Sequence, residues 1–179
     1  MSAIVLPPAG TQPLNAQFLP GNTCFGCGFA NPEGLRIEIF REGDRTDRLI
    51  GQYRPRETAG GFPSIVHGGL QFTALDCMAG WVMLMLRAPP KTMPLTKTAS
   101  MRFLKPARVG DQLMLAATVV REAATPRDPI LIRAEIAGAE GELLSEAEFD
   151  YIALPVDRFM KAVRLDALPE GYRHHFGEV

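Results

Sequence analysis

At 179 residues the chain is sized for one domain closing one hydrophobic core. Hydrophobic residues make up 46% and charged residues 22%, a balance that excludes an intrinsically disordered chain. With 19 Lys plus Arg against 20 Asp plus Glu, the net charge of -1 provides no field for nucleic acid or an anionic membrane. Neither is expected as a partner, and an anionic ligand would need a local cluster.

Residues 1–23 hold Pro7, Pro8, Gly10, Pro13, Pro20 and Gly21 without periodicity, and read as an extended arm. No Lys or Arg precedes Arg36, and the apolar stretch Ala3 to Leu6 is cut by Pro7-Pro8, so no secretory signal is read and the cytoplasm is the expected location. The domain is expected over 24–154. Leu35, Ile37 and Ile39 alternate, Gly43-Asp44 turns, and a second run covers Leu49 to Tyr53, which predicts a hairpin. A breaker-rich loop over 55–64 then delivers the chain to His67.

From Gly69 to Leu86 apolar residues occupy every face of a helical wheel, which predicts a helix buried on all sides and ended by Pro89-Pro90. Gly68, Gly69, Gln71, Thr73, Asp76 and Gly80 interrupt the run, against a membrane span. Runs over 99–104, 113–120, 130–136 and 143–154 predict four strands in an antiparallel meander. The expected fold is α+β, a curved antiparallel sheet wrapped around one long helix. Residues 155–179 are expected to form a surface tail with a short helix.

Asp76 is the one charged residue between His67 and Arg87, and a carboxylate in so apolar a setting is costly unless it is paired or functional. Gly68 and Gly69 supply unpaired N–H groups at a helix N-terminus, suited to polarising a carbonyl. Gly69 and Asp76 lie seven residues apart, about 10 Å along a helix axis, too far to act together on one carbonyl from one helix. A two-fold dimer with the helices side by side brings Gly69 of one chain towards Asp76 of the other. His67, at the loop-to-helix junction, could orient the loop or bond the substrate.

Cys24, Cys27 and Cys77 are an odd count, expected as free thiols in a reducing compartment. Cys24-Phe25-Gly26-Cys27 has metal-ligand spacing, and a zinc site completed by His174 or His175 is one reading, but with no second Cys pair no metal is expected. Lys97, Arg102, Lys105 and Arg108 form a basic stretch that either meets substrate phosphates or is a solvated strand face.

These residues match a known pattern: the chain resembles the PaaI-like hotdog-fold acyl-CoA thioesterases. Val66-His67-Gly68-Gly69 with Ala74-Leu75-Asp76 is similar to their helix start and catalytic acid. Met101 to Pro106 with Val109-Gly110-Asp111 resembles the following strand and turn, and Cys24 to Gly28 with Asn31 to Leu35 a common lead-in. The resemblance implies a hotdog homodimer, possible as a dimer of dimers, that hydrolyses acyl-CoA without a cofactor at sites between subunits. It implies that the Gly69 N–H polarises the thioester carbonyl while the partner's Asp76 acts as general base or nucleophile. It further implies that Thr96 helps position water, while Gly68 at the helix start and Lys97, Arg102 and Lys105 of the basic stretch are the candidate substrate contacts. The loop Thr58 to Ser64 lacks the amide side chain that several relatives carry before His67. A non-catalytic acyl-CoA binder on the same fold is the main alternative. A hydratase, which needs a His beside the acid, fits less well.

Overall fold

The structure, a computed structural model, describes residues 4–125, 128–169, 172–173 and 176. In chain order it forms α1 (Leu14–Phe18), β1 (Glu38–Arg41), β2 (Arg48–Tyr53), β3 (Gly60–Phe62), β4 (Ile65–Val66) and α2 (Gly68–Val82). There follow β5 (Thr92–Phe103), β6 (Leu113–Arg121), β7 (Ile130–Ala137), β8 (Leu143–Pro155) and α3 (Val156–Val163). Six strands make one antiparallel sheet in the order β1-β2-β6-β7-β8-β5, and β3 and β4 pair separately. This is the expected α+β hotdog arrangement, a sheet curved around one long helix.

Alternation along the strands sets the faces. In β7, Ile132, Ala134 and Ile136 point into the core while Arg133 and Glu135 point away from it. Against that inner face α2 buries Ala74, Leu75, Met78, Ala79 and Val82 completely. Burial of a side chain such as Leu75 or Met78 is worth roughly 1.5–3 kcal/mol, which is what orders an otherwise featureless apolar helix. After Val82 the helix widens into a π turn, Met83–Arg87, closed by the Ala88 N–H donating to Met83 O at 2.6 Å before Pro89 and Pro90 stop it. The stretch Gly68–Arg87 is long and apolar enough to cross a membrane by length and composition. Its apolar side is instead taken up by the sheet.

Five expectations change. The last four strands are not a simple meander: β6, β7 and β8 follow one another, but β5 crosses to the far edge and pairs with β8. The sheet covers only part of α2, leaving Gly69 exposed and Thr73, Asp76 and Gly80 half-buried along one stripe. The loop before His67 contains the small hairpin β3–β4. The segment before Cys24 is not a free arm, since Asn15 is fully buried, donates to the carbonyls of Cys27 (2.8 Å) and Ile37 (2.9 Å), and accepts from the Ile39 N–H. One amide side chain thus satisfies the outer edge of β1, a job no propensity rule predicts. At the other end α3 forms as expected, but Leu168 and Phe176 are buried with Val156 against Leu84 and Met93.

Candidate active site

Asp76 sits on the uncovered stripe of α2. Its Oδ1 accepts from Thr96 Oγ1 at 2.7 Å and lies 2.9 Å from the Tyr151 hydroxyl, which is equally close to the Asp76 carbonyl oxygen. Its Oδ2 takes no hydrogen bond from the described residues. The carboxylate is therefore fixed through one oxygen and open through the other. Burial, followed by the adjacent Asp76 charge, pushes the Tyr151 phenol well above the ordinary tyrosine range, so this hydroxyl remains a donor.

Thr96 reaches Asp76 through a bulge. In β5 the residues Ala99 and Met101 pair with Phe149 and Ala147 of the inner face, while Thr98 pairs with Asp150 of the outer face. Plain alternation would carry Thr96 outward with Thr98. Lys97 is an extra residue in the ladder, with Thr96 opposite Tyr151 and Thr98 opposite Asp150, and this turns Thr96 inward.

Asp76, Thr96 and Tyr151 line a cavity of about 330 Å³, whose apolar walls include Leu19, Trp81, Leu84 and Leu95, with Tyr172 and Phe176 from the C-terminal segment. Trp81 lines this cavity, whereas Phe72 packs on Phe149 with ring centroids 5.5 Å apart and Phe62 is 72% exposed.

At the start of α2 the Gly69 N–H donates to His67 Nδ1 at 2.9 Å, so His67 caps its own helix. The Gly68 N–H has no partner among the described residues. Gly68 and Lys105 line a second cavity with Phe103 and Gln71, and the buried Gln71 side chain donates to Val66 O while its own Oε1 has no partner among the described residues. The basic stretch does not form one cluster: the Arg102 guanidinium is paired with Glu146, and Lys97 lies about 17 Å from it at 3.3 Å per residue.

Cys24, Cys27 and Cys77 converge, with their sulfurs all within 4.8 Å of one another, on the wall of the Asp76 cavity. Hydrogen bonding from Cys27 and Cys77 holds the Cys24 thiol well below its usual range. Contact with Cys24 pushes the Cys27 thiol up to about 11, and contact with Cys24 and Cys27, together with burial, pushes Cys77 well above its own range. His174 and His175 lie outside the described residues. Tyr151 was absent from the sequence reading, and Gln71 and the Cys77 thiol were not read as part of a site.

A model of the thioesterase superfamily matches residues 64–125, the segment from the β3–β4 turn through α2 and β5 into the loop after β6. Among solved structures, a Haemophilus influenzae thioesterase aligns with a TM-score of 0.62 at 16% identity, covering 73% of this chain and 86% of that one. The Escherichia coli PaaI protein of a phenylacetic acid degradation operon gives 0.58 at 16%, covering 67% and 80%. A Streptococcus pneumoniae hypothetical thioesterase with coenzyme A gives 0.57 at 21%, covering 66% and 86%. No curated protein matches the chain at a significant level. The resemblance to the PaaI-like hotdog thioesterases stands on the fold and on the matched segment.

Proposed function

We propose that this chain, a hotdog-fold protein with a thioesterase-superfamily segment, hydrolyses an acyl-CoA thioester to the free acid and CoA. The observation that carries this reading is Asp76, held through Oδ1 by two hydroxyls with Oδ2 left open to a cavity. A carboxylate so placed takes a proton from water as it attacks the thioester carbon, or attacks that carbon itself. The leaving group is a thiolate, which departs without a strong acid. The coenzyme A in the Streptococcus pneumoniae structure supports CoA as the carrier. The apolar cavity walls suit an acyl chain, and a reducing compartment such as the cytoplasm suits three free cysteines.

The electrophilic half of the site is the first turn of α2. The Gly69 N–H polarises the carbonyl once the substrate oxygen displaces His67 Nδ1, which occupies that position here. Because Gly69 and Asp76 are about 10 Å apart on one helix, each site takes its N–H from one protomer and its carboxylate from the partner. The uncovered stripe of α2 and the unpaired edge of the twelve-residue β5 suit a two-fold dimer. Lys97 and Lys105 remain the candidates for CoA phosphates, since Arg102 is committed to Glu146.

Replacing Asp76 by Asn tests the assignment. The expected result is a fall in kcat of about 10²–10⁴-fold with the dimer still folded. Full rate in that variant, or no hydrolysis by the wild type across short, long and aromatic acyl-CoAs, overturns it. The occupied Gly69 N–H favours one second reading, a non-catalytic acyl-CoA binding protein. Calorimetric binding of acyl-CoA without turnover would support that reading instead.

A further inference from the structure

Cys24 and Cys27 come from a tight turn ahead of β1, whereas Cys77 comes from α2, yet the Cys24 and Cys77 sulfurs are 3.7 Å apart. Two thiolates on a tetrahedral zinc, each about 2.3 Å from the metal, are about 3.8 Å apart. The surroundings are arranged as donors to sulfur. Trp81 Nε1 reaches Cys27 Sγ at 3.2 Å and Asn22 Nδ2 reaches it at 3.5 Å. N–H donors converging on sulfur suit thiolates and hold metal ligands in orientation.

Two glycines make the convergence sterically feasible. A Cβ at Gly26 would come 2.4 Å from Cys77 Sγ, and one at Gly28 would meet Asn22 O at 2.4 Å and the Cys24 backbone N at 2.5 Å. The turn is therefore shaped to admit a third sulfur from a distant helix. A disulfide does not account for this, since joining any two of the thiols strands the third beside them.

We propose that Cys24, Cys27 and Cys77 bind one soft divalent cation, zinc in the first instance, with the fourth coordination position facing the cavity that all three line. The ion pins the N-terminal segment to the turn of α2 that carries Asp76, the residue before Cys77. This does not depend on the thioesterase reading.

The test is metal analysis of the full chain purified without chelator, with zinc added during expression. About one zinc per chain is expected, and a Cys77→Ser variant should lose it. Cobalt titrated into chelator-stripped wild type should give the thiolate-to-cobalt charge-transfer band and visible bands of a tetrahedral site. Chelation should lower the Tm of the wild type. Gly26→Ala, which keeps all three cysteines but crowds Cys77, should weaken cobalt binding. Wild type expressed with added zinc that carries no zinc and shows no cobalt charge-transfer band overturns the proposal. So does a Cys24–Cys77 disulfide, found by thiol titration, in protein as purified under reducing conditions.

Discussion

Thr96 and Tyr151 face each other across β5 and β8, and both hydroxyls converge on Asp76 Oδ1. The pair holds the carboxylate in one rotamer and leaves its second oxygen free. Tyr151→Phe should therefore lower kcat by about tenfold, equivalent to about 1.4 kcal/mol, with little change in KM. Thr96→Ala should act in the same direction. The double variant should lose less than the product of the two, because both bonds serve one oxygen. Steady-state kinetics on the two single variants and the double settle the point, and additive losses would mean that the hydroxyls act separately.

The bulge at Lys97 suggests a less obvious experiment. Its flanking pairs, Thr96 with Tyr151 and Thr98 with Asp150, keep their faces if the extra residue is removed, because the ladder then becomes regular. Deleting Lys97 should leave Thr96 on Asp76 and kcat within about threefold of wild type, with KM for acyl-CoA raised by the loss of the Lys97 ammonium. A loss as deep as that of Thr96→Ala would show that the bulge itself, or the Lys97 ammonium, serves the site.

What could be read from the sequence divides along physical lines. The apolar run of α2, the alternation in β6 to β8 and the lone charge at Asp76 are local signals, and each survives in the structure. Tyr151 was invisible because its role depends on β5 pairing with β8 across about fifty residues, where a meander would have set β5 beside β6. Thr96 entered through family resemblance alone, since strict alternation puts it on the wrong face. Cys77 belonged to no motif until the segment around Asn15 and Asn22 was seen to pack, and that packing rests on side-chain amides bonding backbone and sulfur. Those are tertiary matters that periodicity does not encode.

All three tyrosines are shifted upward, Tyr53 and Tyr151 chiefly by burial and Tyr172, for the same reason, to about 12. A phenol whose folded pKa exceeds its unfolded value of about 10 stabilises the fold below that pH, and the stabilisation falls as pH rises above it. Ultraviolet titration should therefore show little tyrosinate near pH 10 in native protein, and phenolate absorbance should rise together with loss of circular dichroism. A native transition near pH 10 worth one tyrosine would show that one of the three is solvated, and Tyr151→Phe would identify whether it is the residue on Asp76.

The shared-site arrangement has a quantitative signature. A chain carrying Asp76→Asn lacks the carboxylate, and one carrying Gly69→Pro lacks the N–H; each homodimer should be inactive. In a mixed dimer of the two, one site combines both defects, while the other combines the intact Gly69 of the first chain with the intact Asp76 of the second. Refolding equal amounts together makes about half of the dimers mixed, each with one working site, so about a quarter of the wild-type activity should return. A site complete within one chain would instead give no recovery. Gly69 lies at the helix start where Pro is tolerated, so the folded state of that variant, checked by circular dichroism and sedimentation, separates loss of the N–H from loss of the dimer.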